Sequence, residues 1–320
     1  MKKFGKIITV GLSPSWDMRC QVNGLDWGLH KVINKVELRP AGKALNISKA
    51  LAWMSQNSTA AGLWGKLDYK QMLNELAHLD KHIAVKFTAA PGRTRQNITL
   101  VDTAKNREMH LRAISELATK PSLKKLYTDL QNIISKDSIC TFAGAMPDKK
   151  FLDNVIKIMK ICRRRKAKLA LDTSGPALKS IVDTGNLWLI KPNIDELSEL
   201  IGKNLSDNIS QLIKAAQPLL AKAQIILISR GQNGVLALTK ESVWQARYTG
   251  QKRKVLSTVG CGDYLLAGFL KGFNDSADIP CALKTAIIAA TAKAFDICEH
   301  KPWPLAQKQI KVEVKKCKGV

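Results

Sequence analysis

Residues 257–269 have the sequence STVGCGDYLLAGF, in which a turn of small residues runs directly into an apolar helix. Gly260 and Gly262 allow tight backbone geometry and the close approach of a ligand. The amides of Gly260, Cys261 and Gly262, with that of the next residue, can converge at a helix start, where the helix dipole favours negative charge. No Gly-Lys-Ser/Thr follows, so this is not a Walker loop. The segment predicts an anion-binding turn that suits a phosphate group.

Asp263 falls in the first turn of the predicted helix and is expected to face the same pocket. A carboxylate in this place can accept a proton from an attacking hydroxyl during phosphoryl transfer, which makes Asp263 the candidate catalytic base. Aspartate is also a common helix cap. The Gly-Cys-Gly-Asp string alone does not choose between a base and a cap.

Short β-rich runs alternate with longer segments of helical periodicity along the chain. The β-rich runs include residues 6–10, 169–171, 188–190 and 225–228, and the helical segments include residues 151–162 and 209–223. This order predicts an α/β fold, with a doubly wound, mainly parallel sheet flanked by helices on both faces. Turns that contain Gly, Pro or Asn follow the strand candidates. In such a sheet these turns gather at the carboxyl edge, where ligands bind.

Two segments, about residues 15–40 and 93–113, do not fit the alternating order. Residues 97–102 alternate at a period of two, which indicates strands outside the helix-covered sheet. These segments predict a small separate β-layer that serves as a lid over the carboxyl edge or as a dimer contact. No internal repeat or low-complexity linker interrupts the sequence, so residues 1–320 are expected to form a single domain with the lid as an excursion.

The chain is strongly basic, with 51 Lys and Arg against 26 Asp and Glu and a formal net charge of +25. Such a charge attracts polyanions of any kind, including nucleic acids, membrane surfaces and phosphorylated metabolites. The basic residues are spread along the chain, and no ladder of aromatic residues lies beside them to stack on bases. A solvated surface is therefore expected, and nucleic acid is not an expected partner.

The seven cysteines are odd in number and scattered, without a Cys-x-x-Cys pair or a His cluster at metal-ligand spacing. They indicate a reducing compartment and argue against structural zinc. No apolar run approaches the roughly 18–20 residues that cross a bilayer. The opening MKKFGKIITVGLSPS reaches polar residues too soon for a secretory signal. A cytoplasmic protein without membrane contact is expected.

The segment STVGCGDYLLAGF resembles the carboxyl-terminal signature of the ribokinase-like carbohydrate kinases, the family that includes the minor phosphofructokinases and the 1-phosphofructokinases. Seven further segments resemble motifs of this family in the family's order: GLSPSWD (11–17), RPAGKALNISKAL (39–51), GRTRQNITL (92–100), TFAGAMP (141–147), LDTSGPAL (171–178), LIKPNIDEL (189–197) and ILISRGQNGVLAL (226–238). The sequences of these segments most resemble those of the branch that phosphorylates fructose 1-phosphate, tagatose 6-phosphate or fructose 6-phosphate. The resemblance implies a ribokinase-like sheet with a β-lid, and the use of ATP with Mg²⁺.

The resemblance places the acceptor sugar among Asp17, Gly42, Lys43, Asn46 and Arg95. Asp17 would accept hydrogen bonds from sugar hydroxyls, and Asn46 would offer both a donor and an acceptor at a helix start. Gly42 lets the backbone approach the sugar, while Lys43 and Arg95 supply positive charge for a sugar phosphate. From the residues alone, Asp17 also fits an exposed turn, Asn46 a helix cap and Arg95 a solvated strand.

The resemblance places the nucleotide among Lys191, Asn193, Ser229, Gly231, Gly234 and Thr258. Asn193 and Glu196 stand three apart at the start of a predicted helix and share one side of it. There they would orient Mg²⁺ from its outer shell, since this ion keeps most of its waters. Their alternative role is a capping box, with Asn193 at the N-cap and Glu196 at the third helical position.

Several residues depart from the family pattern. Ala44 and Ala145 replace a glycine and a serine near the substrate. Tyr264 replaces a small residue and is expected to block part of the active-site mouth or to reorient it. The segment FDICE (295–299) replaces the small, Asn-containing segment that borders adenine.

The sequence thus predicts an ATP-dependent kinase of a phosphorylated hexose, with fructose 1-phosphate as the leading acceptor and fructose 1,6-bisphosphate as the product. Two alternatives stay open, namely a kinase of an unphosphorylated sugar or nucleoside, and a catalytically degenerate relative that binds polyanions. Besides ATP and the sugar phosphate, the expected partner is a second copy of the chain, bound through the lid.

Overall fold

The computed structural model describes residues 5–79 and 81–317 of the chain. Its strands are, in chain order, β1 (Ile7–Gly11), β2 (Ser15–Val22), β3 (Ile33–Ala41), β4 (Ser58–Gly65), β5 (Ile83–Ala90), β6 (Gln96–Asp102), β7 (Arg107–Leu111), β8 (Ile139–Ala143), β9 (Lys168–Asp172), β10 (Leu187–Ile190), β11 (Ala223–Ser229), β12 (Val235–Leu238), β13 (Val243–Tyr248) and β14 (Val312–Lys316). A large sheet has the order β14-β13-β12-β11-β10-β9-β8-β1-β4-β5. Neighbours are parallel from β5 to β11, and β12, β13 and β14 pair antiparallel at one edge. The predicted mainly parallel sheet is confirmed.

Helices cover both faces of the large sheet. They are α1 (Lys43–Trp53), α2 (Tyr69–Leu76), α3 (Lys120–Ile133), α4 (Leu152–Arg164), α5 (Pro176–Asp183), α6 (Ile194–Ile201), α7 (Ile209–Ala216), α8 (Cys261–Ser276), α9 (Ile279–Ala294), α10 (Ile297–His300) and α11 (Trp303–Gln309). Helices α3 to α7 build one core, and α1, α8, α9, α10 and α11 build the other. Ile226 and Ile228 enter the first core, whereas Ile225 and Leu227 enter the second. Because both faces are buried, the strand is a continuous apolar run.

The predicted helix over residues 209–223 is wrong in its second half. Helix α7 ends at Ala216, a 3-10 turn occupies Gln217–Ala221, and β11 begins at Ala223. Pro218 has no backbone N–H to continue the helical ladder, which accounts for the stop. Among the helices of the described residues, none combines the length and apolar character that a membrane span requires.

A second sheet has four strands in the order β3-β2-β6-β7. Strand β2 pairs antiparallel with β3 and parallel with β6, and β6 pairs antiparallel with β7. The two segments that break the alternating order of the sequence supply all of these strands, and we call this sheet (residues 15–41 and 96–111) the lid. The apolar side chains of Trp27, Val32 and Val36 are exposed there. The single domain over residues 1–320 stays a prediction.

Helices α8 and α9 approach each other unusually closely. A Cβ atom at Gly268 would lie 2.7 Å from Ala286 Cα, and one at Gly272 would lie 2.7 Å from Ala282 Cα. Glycine at these two positions lets the helix backbones touch. The contact fixes the axis of α8, and with it the first turn of the helix, which follows the anion turn.

Candidate active site

A cavity of about 970 Å³ opens between the large sheet and the lid. All the residues predicted for the site line it, namely Asp17, Gly42, Lys43, Asn46, Arg95, Lys191, Asn193, Glu196, Ser229, Gly231, Gly234, Thr258, Gly260, Cys261, Gly262 and Asp263. They come from the carboxyl ends of five strands and the loops and helix starts that follow them (β3, β5, β10, β11 and β13), and from β2 of the lid. The fold therefore brings the candidate residues together.

The predicted anion turn stands at the start of α8. Gly260 is the N-cap residue, and its φ of +79° is a left-handed conformation that favours glycine. The Cys261 amide donates a hydrogen bond to the Thr258 carbonyl at 3.3 Å. The next two amides, of Gly262 and Asp263, lie in the first helical turn, where the helix supplies no carbonyl for them. The turn can therefore present these two amides to a ligand, while the Cys261 amide, expected to join them, closes the turn itself.

Asp263 is buried, with 5% of its surface exposed. Its Oδ2 accepts a hydrogen bond from Asn46 Nδ2 at 3.0 Å, and Gly260 rather than Asp263 is the helix cap. Burial, together with the negative charge of Asp172, raises the pKa of Asp263 to about 6, although Asn46 and two lysines act in the opposite direction. A carboxylate with this pKa is ionised at neutral pH and is more basic than an ordinary aspartate.

A buried ionic cluster adjoins Asp263. Asp172, the last residue of β9, accepts a hydrogen bond from Lys43 Nζ at 3.2 Å through Oδ1, and Lys191 Nζ lies 3.3 Å from the same oxygen. Burial alone would lower the pKa of Lys43, but the negative charges of Asp172 and Asp263 outweigh the effect of burial and raise this pKa. Lys43, expected at a sugar phosphate, is thus paired with a carboxylate. The sequence analysis missed Asp172, whose signal was an acidic residue at a strand end before a Thr-Ser-Gly turn.

The lid end of the cavity holds Asp17 in a defined orientation. Its Oδ1 accepts hydrogen bonds from Ser15 Oγ at 2.8 Å and from Asn97 Nδ2 at 3.0 Å. Its Oδ2 has no such partner among the described residues. The carboxylate is therefore fixed through one oxygen, and the other can accept from a ligand.

Arg95 is engaged with the backbone. Its Nε donates to the Pro14 carbonyl at 3.2 Å and its Nη2 to the Ser13 carbonyl at 3.1 Å. Its Nη1 donates to the Ala113 carbonyl at 2.6 Å. A guanidinium has five N–H donors, so two remain for a ligand. The sequence predicted that Arg95 binds a phosphate but did not predict its hydrogen bonds to backbone carbonyls, because every residue has a backbone carbonyl.

Asn193 and Glu196 form a capping box at the start of α6. The Glu196 amide donates to Asn193 Oδ1 at 2.7 Å, and the Asn193 amide donates to Glu196 Oε2 at 2.9 Å. The capping alternative is thus present in the structure. Both side chains also line the cavity, so the cap holds them at the place where a metal was expected.

A model of the pfkB family carbohydrate kinases matches residues 9–295. The chain belongs to this family. It is therefore an ATP-dependent carbohydrate kinase, and its family uses ATP with Mg²⁺. Curated relatives include the 1-phosphofructokinase of Haemophilus influenzae, 27% identical over 297 residues that cover 92% of this chain and 91% of the relative. The 1-phosphofructokinase of Vibrio cholerae is 28% identical over 322 residues, which cover 96% of each chain.

Solved pfkB family structures share the fold. The phosphofructokinase-2 of Escherichia coli in complex with fructose-6-phosphate superposes with a TM-score of 0.85 at 23% identity, over 95% of this chain and 97% of that one. The tetrameric inhibited form of the same enzyme gives a TM-score of 0.86 at 24% identity, over the same shares. The predicted ribokinase-like fold is confirmed.

The residues of this pfkB kinase fit a hydrated magnesium ion. Within residues 5–79 and 81–317, no three His, Cys, Asp or Glu side chains form a metal cage. However, Asp172 Oδ2 is buried without a hydrogen-bond partner in the described part of the chain. Glu196 uses only Oε2 in its cap and keeps a second oxygen. Because Mg²⁺ retains several waters and needs few protein oxygens, Glu196, which lines the cavity, would contact the ion through its waters, whereas the buried Asp172 Oδ2 does not line the cavity.

The part of the cavity predicted to bind the nucleotide joins the predicted loop to an apolar groove. A Cβ at Gly234, where φ is +86°, would clash with the Ala246 carbonyl, so this position requires glycine. Arg230 and Asn233 donate to Asp207, which holds the loop. Sequence reasoning missed the groove residues, which include Tyr248, Val255, Ile287, Ala290 and Ala294, and it noted Phe295 only as a departure from the family. The groove offers an apolar wall to a nucleoside base.

Tyr264 does not narrow the mouth of the site, and this expectation is wrong. Tyr264 is turned by about 100° from Asp263 along the helix and does not line the cavity that Asp263 lines. Its ring packs on Trp53, with the ring centroids 6.0 Å apart. Ala44 is buried beside Gly11 and likewise does not line this cavity.

Proposed function

We propose that this kinase transfers the γ-phosphoryl group of ATP to a hydroxyl of a phosphorylated hexose. Fructose 1-phosphate is the leading acceptor, with fructose 1,6-bisphosphate as the product. The observation that carries the proposal is the placement of Asp263, buried in the first turn of the anion-binding helix and hydrogen-bonded to Asn46. The base is thereby joined to the acceptor half of the cavity.

The chemistry assigned to these residues is an in-line displacement. Asp263 accepts the proton of the acceptor hydroxyl while the hydroxyl oxygen bonds to the γ-phosphorus and the bond to the β-bridging oxygen breaks, which releases ADP. The amides of Gly262 and Asp263 stabilise the charge that develops on the transferring group. Lys43 and Lys191 contribute positive charge from the buried cluster. When bound, Mg²⁺ neutralises charge on the ATP phosphates.

Two arginines at the lid end, Arg95 and Arg112, support an acceptor that already carries a phosphate. His110 and Arg112 line the cavity beside Asp17 and Arg95. His110 Nδ1 lies 3.1 Å from Thr99 Oγ1. Burial lowers the pKa of Arg95, and the nearby charge of Arg112 lowers it further while Asp17 opposes the effect. Two guanidinium groups that repel each other are both stabilised by a shared anion.

The relatives agree with a phosphorylated acceptor. The curated relatives are named 1-phosphofructokinases, and the Escherichia coli structure holds fructose-6-phosphate. A kinase of an unphosphorylated sugar or nucleoside is the alternative to test. The degenerate polyanion-binding alternative has no such support, since the family consists of carbohydrate kinases.

The test is a panel of acceptors with ADP release as the readout. It contains fructose 1-phosphate, fructose 6-phosphate, tagatose 6-phosphate, fructose, ribose and adenosine, each with ATP and Mg²⁺. We expect the highest kcat/KM with a hexose phosphate, and fructose 1-phosphate above the others. A higher kcat/KM for an unphosphorylated compound would overturn the proposed acceptor class.

The partner proposed for the lid is a second copy of this chain. Its support is the set of exposed apolar side chains on the lid, which include Trp27, Val32 and Val36, and the assembly of the Escherichia coli relative, described as tetrameric. Exposed apolar patches mark interaction sites in soluble proteins.

A further inference from the structure

Asp68 is a buried carboxylate outside the cavity, with 5% of its surface exposed. Its Oδ2 accepts hydrogen bonds from Trp16 Nε1 at 2.6 Å and from Trp64 Nε1 at 3.0 Å. Its Oδ1 accepts from the Thr94 amide at 2.9 Å. An ionised carboxylate is costly to bury unless donors replace its water. The two oxygens therefore depend on these three partners.

The three donors connect the lid with the large sheet. Trp16 directly precedes Asp17 on β2, and Thr94 directly precedes Arg95. Trp64 belongs to β4 of the large sheet. In addition, the Trp16 amide donates to the Arg95 carbonyl at 2.8 Å, which joins β2 to the residue that precedes β6. One carboxylate thus holds the residues next to both Asp17 and Arg95.

The junction is packed as well as hydrogen-bonded. The Gly65 amide donates to Thr94 Oγ1 at 2.9 Å. A Cβ at Gly65 would clash with the Thr94 amide nitrogen and lie 2.5 Å from Asp68 Oδ1. The rings of Trp16 and Trp64 meet edge to face, with their centroids 5.7 Å apart. Asp68 therefore sits among neighbours that leave it little freedom to move.

We propose that Asp68 is a positioning residue for the acceptor, and that its carboxylate fixes Asp17 and Arg95 relative to the large sheet without touching the substrate. The inference rests on the proposed function, in which those two residues hold the acceptor. A carboxylate suits the place because it only accepts hydrogen bonds. Asparagine would turn its N–H₂ group toward either the Thr94 amide or the two indoles, and would set donor against donor.

The test compares the steady-state kinetics of the unaltered chain with those of Asp68→Asn. We expect the KM of the acceptor to rise about tenfold or more, because small displacements of positioning groups have large effects. The KM of ATP and kcat should change less than about threefold, since Asp263 and the nucleotide loop stay in place. A purely structural role would lower the fraction of folded enzyme and would not separate the two KM values.

Asp102→Asn is the matched control. Asp102 is equally buried in the lid, but it does not line the cavity. Its carboxylate oxygens accept hydrogen bonds from four backbone amides, those of Gly24, Leu25, Ala104 and Lys105. If loss of any buried lid carboxylate raised the acceptor KM, Asp102→Asn would do so as well. We expect it to leave this KM within about twofold.

Trp16→Phe and Trp64→Phe form a second pair. Each variant removes one indole N–H from Asp68 Oδ2 and keeps an aromatic ring. Only Trp16 is adjacent to a residue that lines the cavity. We therefore expect Trp16→Phe to raise the acceptor KM more than Trp64→Phe does. If Asp68→Asn does not fold, this pair decides the question.

Two results would overturn the inference. One is an unchanged acceptor KM in both Asp68→Asn and Trp16→Phe. The other is an equal rise in Asp102→Asn. The kinetics use whichever acceptor gives the unaltered chain its highest kcat/KM, so a wrong acceptor class shows in the unaltered chain and not in the variants. Absence of turnover by the unaltered chain with every acceptor would overturn the proposed function and this inference together.

Discussion

Asn46 Nδ2 donates a hydrogen bond to Asp263 Oδ2 at 3.0 Å, although the two residues are 217 positions apart in the sequence. The bond joins the first turns of α1 and α8, and thus the proposed acceptor half of the cavity to the predicted anion turn. Because the bond stabilises the ionised carboxylate, it partly offsets the effect of burial on the pKa of Asp263. The pair therefore affects how readily Asp263, the proposed base, accepts a proton.

Asp263→Asn should fold normally and phosphorylate very slowly. Loss of a positioned general base typically lowers the rate by about 10²–10⁴-fold. The measurement is kcat from coupled ADP release, with the fold checked by circular dichroism. Asp275→Asn is the control on the same helix, since Asp275 is exposed and pairs with Lys271 at 2.9 Å. Turnover near the level of the unaltered chain in Asp263→Asn would remove Asp263 as the base.

The activity should depend on pH through Asp263. Its pKa is about 6 and the base must be ionised to accept a proton, so kcat/KM should rise with pH up to about 6 and then level off. Asn46→Ala removes a donor that favours the ionised form and should move this limb to higher pH. If kcat/KM rose over the same pH range in the unaltered chain and in Asn46→Ala, the group that titrates would not be Asp263.

Stability should depend on pH through the same residue. The pKa of Asp263 is higher in the folded chain, at about 6, than its ordinary value of 3.8. The folded state therefore binds this proton more tightly, and the cost of the buried charge appears as the pH rises from about 4 to 6. Asp263→Asn lacks this cost. The difference in free energy of unfolding between the variant and the unaltered chain should therefore favour the variant more at pH 7 than at pH 4. Urea unfolding at the two pH values measures the difference.

The ion pairs of the buried Asp172 with Lys191 and Lys43 make this residue important for stability. Asp172→Asn would remove the ion pair of Lys191, whose side chain is 4% exposed, and breaking a buried pair typically costs about 3–5 kcal/mol; the pair with Lys43, which is 38% exposed, contributes less. Asp183→Asn is the comparison, because its pair with Lys179 is exposed and such pairs contribute about 0–1 kcal/mol. The free energy of unfolding in urea should fall far more for Asp172→Asn. If the free energy of unfolding fell equally in both variants, the ion pairs of Asp172 would contribute no more to stability than an exposed pair does.

Much of the fold can be predicted from the sequence because its signals are local. Residues 225–228 are continuously apolar since both faces of β11 are buried, and Gly260 stands at the N-cap of α8, where its φ of +79° favours glycine. The boundary at Ala216 was missed, because the stop at Pro218 lies within an otherwise helical apolar pattern.

The pairings within the site are not local, and the sequence does not show them. Asp172 meets Lys43 across 129 residues, and Asp68 meets Trp16 across 52. Arg95 bonds to backbone carbonyls, which every residue possesses. The capping box of Asn193 and Glu196 was the exception, since its spacing of three lies within one helical turn.

Val36→Glu should weaken self-association if a second copy covers the lid. Val36 is 53% exposed on β3, and a charge there would have to be desolvated in the interface. Leu305→Glu is the control, because Leu305 is 43% exposed on α11, away from the lid. Sedimentation velocity over a range of concentrations should show a dimer for the unaltered chain and for Leu305→Glu, and a monomer for Val36→Glu. A chain that is monomeric throughout would exclude the lid dimer.

Arg112→Ala should reduce the preference for a phosphorylated acceptor. Arg112 lines the lid end of the cavity near Arg95, so its loss removes charge where the acceptor's own phosphate is proposed to bind. A charge-assisted hydrogen bond to phosphate typically contributes about 1.5–3 kcal/mol, so the ratio of kcat/KM for fructose 1-phosphate over fructose should fall by about tenfold or more. Arg19→Ala is the control, since Arg19 pairs with Glu108 at 3.3 Å on the same sheet and does not line the cavity. An equal loss with both acceptors would mean that Arg112 supports the lid and does not recognise the phosphate.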